Sequence, residues 1–399
     1  MVRGLALAAL LVATALGAYL YGRSQSPASL GEIDQESLAL VAEALNVVRD
    51  DYVDRESVSS EELAYGAIEG MLKALGDEGH TRFLTPKERL ENRQGLSGTY
   101  VGIGVQLEDK EDEIVVAAPI EGSPAERAGI EAGDVIVAVN GESVRGEDLS
   151  DVVEKVKGPE GTEVGITVLR GDEERSFDLR RAEIDAPVAS WTRIPATDVA
   201  LVRLSSFSTD AAGELRDALQ EMRAAGAERL ILDLRDNPGG RLDQAIEIAG
   251  MFLEPGSTVY IRENASGERE EVEVSGDARF ADMPMTVLVN EGSASSAEIL
   301  AGALRDNGRA TVVGETTFGT GTVLSEFVLS DGSAILLGVA EWLTPGGDFI
   351  RETGIEPDVQ VKLGEDGEQV TPAADGDLTR GQMFERDAQL ERAFEELPD

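Results

Sequence analysis

TVLVNEGSASSAEILAGALRDNGRATVVGETTFGTGTVL, residues 286–324, is the stretch on which the reading of this chain turns. It opens with an apolar run, Thr286 to Val289, that predicts a buried strand. Small and polar residues follow, Asn290-Glu291-Gly292-Ser293-Ala294-Ser295-Ser296. A helical pattern comes next, with Ile299, Leu300, Ala303 and Leu304 on one face. A cluster of serines therefore sits at a strand-to-helix turn. There, unpaired backbone N–H groups and the positive end of a helix dipole meet a candidate nucleophile. A hydroxyl so placed can attack a carbonyl while N–H groups hold the developing oxyanion.

Upstream, from residue 198, the pattern is α/β. Val199–Leu204 predicts a strand, and Asp210 is placed to cap a helix carrying Leu215, Leu219 and Met222. Leu230-Ile231-Leu232-Asp233-Leu234 predicts a buried strand that ends in Arg235-Asp236-Asn237-Pro238-Gly239-Gly240, followed by a helix through Ile246, Ile248 and Met251. The glycines suit a tight strand-to-helix turn. Residues 256–280 read as a surface hairpin and loop, and Gly332–Leu337 as a strand. The segment 363–399 reads as an acidic tail ending in a short helix-like piece.

These segments closely resemble the carboxyl-terminal processing peptidases, or tail-specific proteases, over about residues 36–362. The family's S-A-S-A-S-E-I run places its nucleophilic serine on Ser295, and its G-A-L-x-D-x-x-R-A segment falls on Asp306, Arg309 and Ala310. The L-D-L-R-x-N-P-G-G match implies that Gly239 and Gly240 help to form an oxyanion hole, with the Ser296 N–H as the partner donor. Two positions depart from the pattern. The general-base lysine of F-G-K-G falls on Thr320, and the glutamine that orients it falls on Leu324. A threonine cannot accept the serine proton usefully near pH 7, and a leucine cannot orient a base. No lysine lies between Lys157 and Lys362. A substitute base would come from Lys155, Lys157, Lys362 or another subunit. Glu298 is near Ser295 in sequence, but it is better placed to cap the helix.

Residues 97–182 resemble a PDZ domain. Short alternating strands accompany Val101-Gly102-Ile103-Gly104-Val105, similar to the carboxylate-binding loop. Ser123–Ile130, Gly133-Asp134-Val135-Ile136 and Asn140-Gly141 follow at the matching spacing. In such a loop glycines let successive N–H groups point at a peptide C-terminus. The implied ligand is an unstructured C-terminal tail that adds a strand to the domain's sheet.

Composition sets outer limits. The chain has 399 residues and no cysteine, so neither disulfides nor thiol chemistry is available. Its 35 basic and 77 acidic residues give a net charge of −42, a field that disfavours nucleic acid. The excess is spread along the chain, which fits adaptation to a salty medium better than an acidic substrate-binding surface. Residues 1–22, with Arg3 and an apolar run from Leu5 to Leu20, read as a cleaved signal peptide or an uncleaved membrane anchor; both export the remainder. A linker spans 24–32. Leu38, Val41, Leu45, Val48 and Tyr52 recur at helical spacing, and Ser59 with Glu62 forms a capping box for a second helix. His80, the lone histidine, lies in a loop and reads as a turn residue.

The expected fold is multidomain α+β. It comprises an N-terminal helical region (36–96), a PDZ β domain (97–182), an α/β serine-peptidase core of the tail-specific protease type (183–362) and an acidic tail (363–399). The expected function is that of an exported, degenerate peptidase that binds polypeptide C-termini as a binder or adaptor. It would be periplasmic or held at the outer face of the inner membrane. The alternative is an active periplasmic serine endopeptidase with Ser295 as nucleophile and a non-standard base. No cofactor or metal is implied. Partners would be C-terminal tails, with a homo-oligomer or an active relative as further partners, and the membrane would be met only through the N-terminal segment.

Overall fold

The computed structural model describes residues 35–398, apart from positions 55, 56, 58, 78–80, 111, 112, 121, 172, 186, 365, 366 and 377. The segment 1–22 expected to direct export, the expected linker 24–32 and His80 lie outside the described residues. No helix among the described residues is long and apolar enough to cross a membrane.

The chain divides into two compact units, one up to Gly76 and one from Asp77. The first contains helices Gln35–Asp51 and Ser60–Lys73, and the second of these opens with the expected Ser59/Glu62 capping box. Leu38, Val41 and Val48 form a helical stripe, but the stripe is exposed. The unit ends earlier than the expected boundary at residue 96. Strand Arg82–Leu84 pairs with Ala334–Leu336, and Arg89 of helix Pro86–Ser97 bonds Glu326, so residues 77–96 belong to the larger unit.

The centre of the larger unit is a six-stranded sheet in the order 189–193, 199–204, 229–233, 285–289, 311–314, 359–360. It is parallel except for the first strand, which is antiparallel to its neighbour. Strand periodicity explains how both faces are covered. Ala200, Val202, Leu204, Leu230, Leu232, Val287 and Val289 point into a cluster with helices Ala211–Ala224, Leu242–Phe252 and Ser296–Asp306. The intervening Val199, Leu201, Ile231, Leu288 and Val313 point the other way. Asp210 precedes the first helix as expected but makes no side-chain cap bond; Gln244 caps it instead, accepting the Ala212 N–H at 2.9 Å. A second, five-stranded sheet carries Thr322–Val328, Ala334–Leu343 and the expected hairpin, Thr258–Asn264 with Arg269–Glu273.

The segment 363–399 is not a free tail. Helices Arg380–Arg386 and Ala388–Glu395 bury Val370, Met383, Leu390, Ala393 and Leu397 against the second face of the central sheet. Without them that face would lie open to water. An ionic cluster fastens them. The buried Arg235 guanidinium donates to both carboxylate oxygens of Asp233 at 2.9 Å, to Asp387 at 2.8 Å and to Gln389 at 3.1 Å. Asp387 in turn accepts from the Val370 and Leu390 N–H groups. Burial pushes the Asp233 carboxyl up, but the charge and hydrogen bonds of Arg235, with Arg203 beside them, outweigh it and hold the carboxyl below its usual range.

A PDZ sheet of six strands spans residues 105–180, with strand Val105–Lys110 at its edge. It joins the central domain through a two-stranded ribbon, Thr99–Gly102 paired antiparallel with Ala182–Asp185.

Removing Asp387 leaves a buried guanidinium without half of its counter-charge. Asp387→Ala is expected to cost about 3–5 kcal/mol in denaturant unfolding. Because the folded Asp233 carboxyl titrates below its unfolded value, its share of stability is present above about pH 4 and is lost as pH falls through the folded value. Unfolding curves collected through the acid range test this sign.

Candidate active site

Parallel neighbours end at the same sheet edge, so the turns after strands Arg229–Asp233 and Met285–Val289 lie side by side. Their polar side chains sew them together. Ser293 Oγ donates to the Leu234 carbonyl at 2.8 Å and accepts the Asn290 N–H at 3.0 Å. Asn290 accepts the Asp236 N–H at 2.9 Å and donates to the Asp236 carboxylate at 2.8 Å. The Ala294 N–H donates to the Asn237 carbonyl at 2.9 Å. Against this scaffold Ser295 holds φ 53° and ψ −116°, and helix Ser296–Asp306 follows it directly. A non-glycine residue in that region costs about 1–3 kcal/mol, which the surrounding bonds must hold in place.

The glycines of the preceding turn pack onto this elbow. A Cβ at Gly239 would meet Ala294 O at 2.7 Å, Ser295 Cβ at 2.8 Å and Ser296 N at 2.8 Å, and its φ is +91°. Only glycine fits, and its backbone forms one wall of the nucleophile turn. The Gly239 N–H, however, donates to Asn237 Oδ1 at 2.9 Å. Of the three groups expected to hold an oxyanion, that one is already engaged. The N–H groups of Gly240 and Ser296 have no acceptor among the described residues. Ser296 Oγ donates to Gly240 O at 3.2 Å, which places those two residues together.

Glu298, which the sequence marks as a helix cap, does more. It is fully buried and accepts four hydrogen bonds: from the Ser295 N–H at 2.8 Å, the Thr320 N–H at 3.0 Å, the Gly319 N–H at 2.7 Å and the Thr317 hydroxyl at 2.6 Å. It thus clamps the segment 317–320 to the nucleophile elbow. The Phe318 N–H adds a bond to Ser293 O at 3.0 Å. Thr320 is buried, and its hydroxyl accepts the Ser295 N–H at 3.1 Å. The residue that falls on the resemblance's base position is therefore beside Ser295. Leu324 is not buried there; it sits 39 % exposed on the strand Thr322–Val328, opposite Gly338. No titratable side chain is hydrogen-bonded to Ser295 Oγ among the described residues. Asp306 serves the far end of the helix, bonded to Arg305 and the Gly346 N–H, and Arg309 donates to the carbonyls of Phe252, Phe280 and Met283.

The loop at 101–105 holds its carbonyls by hydrogen bonds. The Ile103 carbonyl accepts from Ala125 N–H, and the Gly104 carbonyl from Ile120 N–H and Ser123 Oγ. Both carbonyls are pinned back, while the Ile103 and Gly104 N–H groups have no acceptor among the described residues. Gly104 has φ +78°, and a Cβ there would meet Ser123 Cβ at 2.3 Å. Beside the loop a cleft of about 340 Å³ runs between the edge strand and helix Leu149–Val156.

The structure brings together Ser295, Thr320 and the two glycines that the sequence singles out. Sequence reasoning missed Asn237, Asn290 and the acceptor role of Glu298 across the turn. An acidic residue three positions past the serine was visible, but its partners at 317–320 were not.

The profile of peptidase family S41 matches residues 198–361, and that of a PDZ domain matches residues 115–170. The chain is 39% identical over 334 residues to a "Probable CtpA-like serine protease" of Staphylococcus aureus, covering 83% of this chain and 66% of that one. A protein of the same name from Staphylococcus epidermidis is 36% identical, covering 85% and 68%. The chain spans about two thirds of the length of the curated relatives it matches. Among solved structures, the photosystem II D1 C-terminal processing protease is 31% identical, with a TM-score of 0.48 over 81% of this chain and 92% of that one. An S41 protease structure from Bacteroides fragilis is 18% identical, with a TM-score of 0.52 over 80% and 90%, a likeness of fold.

Glu298→Gln would keep one acceptor oxygen and turn an amide N–H₂ toward buried donors. It is expected to cost about 2–4 kcal/mol in denaturant unfolding, because buried donors lose a charged acceptor.

Proposed function

The chain belongs to peptidase family S41, the carboxyl-terminal processing peptidases, and on that premise we propose that it recognises the C-terminal tails of polypeptides without hydrolysing them efficiently. The observation that carries this reading is the Thr320 hydroxyl, which accepts the Ser295 N–H at 3.1 Å where the resemblance calls for a lysine amine. A serine hydroxyl needs a base to take its proton, and the neighbouring polar groups do not supply one. Glu298 is filled by its four donors, and Thr320 has no basic atom. Leu324 provides no group to orient a base. The PDZ domain supports capture of peptide C-termini, with the Ile103 and Gly104 N–H groups as candidate carboxylate ligands.

A second reading, an active serine endopeptidase with a non-standard base, is favoured by one observation. Ser295 keeps φ at 53° with Gly239 packed on it, a strained arrangement that suits a nucleophile and two oxyanion donors, the N–H groups of Gly240 and Ser296. In both readings the protein is exported. The apolar segment 5–20 behind Arg3 supports a periplasmic location or attachment at the outer face of the inner membrane.

Cleavage of an unfolded protein with an apolar C-terminus, at high and low salt, separates the two. The natural chain is expected to be inert. Thr320→Lys/Leu324→Gln is expected to cut at least about 10³-fold faster, and Ser295→Ala in that background to abolish the gain, since members of such a catalytic unit fail together. Turnover by the natural chain that Ser295→Ala removes would establish the second reading instead.

A further inference from the structure

We propose that a cleft at the edge of the central sheet, between helix Ala211–Ala224 and strand Ala189–Arg193, binds a linear aliphatic polyamine. This does not rest on the tail-binding reading above.

The cleft measures about 400 Å³, a size suited to a small molecule. Asp210, Glu214, Asp217 and Glu221 line it, and neither lysine nor arginine does. The four recur at intervals of three and four residues, so they form one row along the helix. Like charges at that spacing destabilise a helix unless a cation answers them. Two of the four are engaged by neutral donors. Glu214 accepts the Val188 N–H at 2.6 Å and the Ala189 N–H at 3.2 Å, and Glu221 accepts Trp191 Nε1–H at 3.1 Å. Asp210 and Asp217 make no side-chain hydrogen bond or ion pair among the described residues.

Two observations set this row apart from a solvated face. Ser208 lines the same cleft and is only 3 % exposed, and its hydroxyl has no hydrogen-bond partner among the described residues. Its oxygen is not sealed from solvent, so it opens on the cleft. A buried hydroxyl without a partner is unfavourable, and a donor bound in the cleft supplies one. Gly213 stands in the first turn of the helix, where alanine is the better helix former. A Cβ there would meet Asp210 Oδ1 at 2.5 Å. The glycine thus leaves room for a carboxylate that does not cap the helix.

These features define the ligand. The carboxylates are strung out rather than gathered, and no group among the described residues is arranged to hold a metal ion. Asp210 and Asp217 lie about 10 Å apart along the helix axis. A chain of ammonium groups joined by short alkyl links spans such a row. Its N–H groups donate to both carboxylates and to Ser208 Oγ, and Trp191 adds the attraction of an aromatic ring for a cation.

The test is isothermal titration calorimetry of the full chain with spermine at physiological ionic strength, where diffuse attraction to a net charge of −42 is screened. Tryptophan emission reports the location, because Trp191 is one of two tryptophans and the other, Trp342, is buried. One saturable site is expected, with a change in emission that Trp191→Phe removes. Asp210→Asn/Asp217→Asn should weaken binding about ten-fold, the size of two partly exposed ion pairs. Glu270→Gln/Glu273→Gln, which deletes the same charge from the hairpin of the second sheet, should leave it unchanged. Gly213→Ala keeps every charge and should weaken binding several-fold without lowering the melting temperature. The proposal is overturned by an absence of saturable binding, by equal loss in the two double variants, or by wild-type affinity in Gly213→Ala. It is also overturned if the emission change survives Trp191→Phe, or if magnesium at the same concentration matches spermine.

Discussion

The buried carboxylate of Glu298 is the constraint on which the site depends. A charge with no exposure to solvent is tolerable only if hydrogen bonds replace its hydration. Here they come from the Ser295 N–H, from two consecutive N–H groups of the 319–320 segment and from the Thr317 hydroxyl. Each donor is fixed by the others' need for the same acceptor. Glu298 thus ties the Ser295 backbone to the segment that carries Thr320. The chemistry proposed for the site concerns side chains hung on that frame.

A second buried charge cluster plays the matching role on the other side of the sheet. Arg235 begins the turn that carries Gly239 and Gly240, and its guanidinium reaches Asp233 in the strand before it and Asp387 in the C-terminal helices. The turn beside Ser295 and the C-terminal helices are thus held by one cation. The hydrophobic cover of the sheet and the placement of the oxyanion turn are parts of a single arrangement.

What the sequence disclosed and what it concealed divide along sequence distance. Apolar runs such as Val199–Leu204 and the helical stripe Ile299–Leu304 are local signals, so strands, helices and turns were legible. Ser295 and Thr320 could be placed because each sits in a local motif. The Arg235–Asp387 pair spans 152 positions, and no local pattern announces it. The C-terminal segment misled through its charge, although Leu390, Ala393 and Leu397 recur at helical spacing and carried a signal of burial. The acceptor role of Glu298 was hidden because its partners are mostly backbone groups, which any sequence supplies.

That last point bears on how such a protein can change over generations. The loop at 317–320 is fastened mainly through backbone N–H groups, and the Ser295 bond to Glu298 does not run through the side chain at 320. The Thr320 side chain therefore adds one bond to Ser295, and the backbone N–H groups supply the clamp. Exchange between an amine and a hydroxyl there is open to drift, since a fold under selection for stability barely registers it. Such an exchange leaves in place the backbone clamp that holds Ser295.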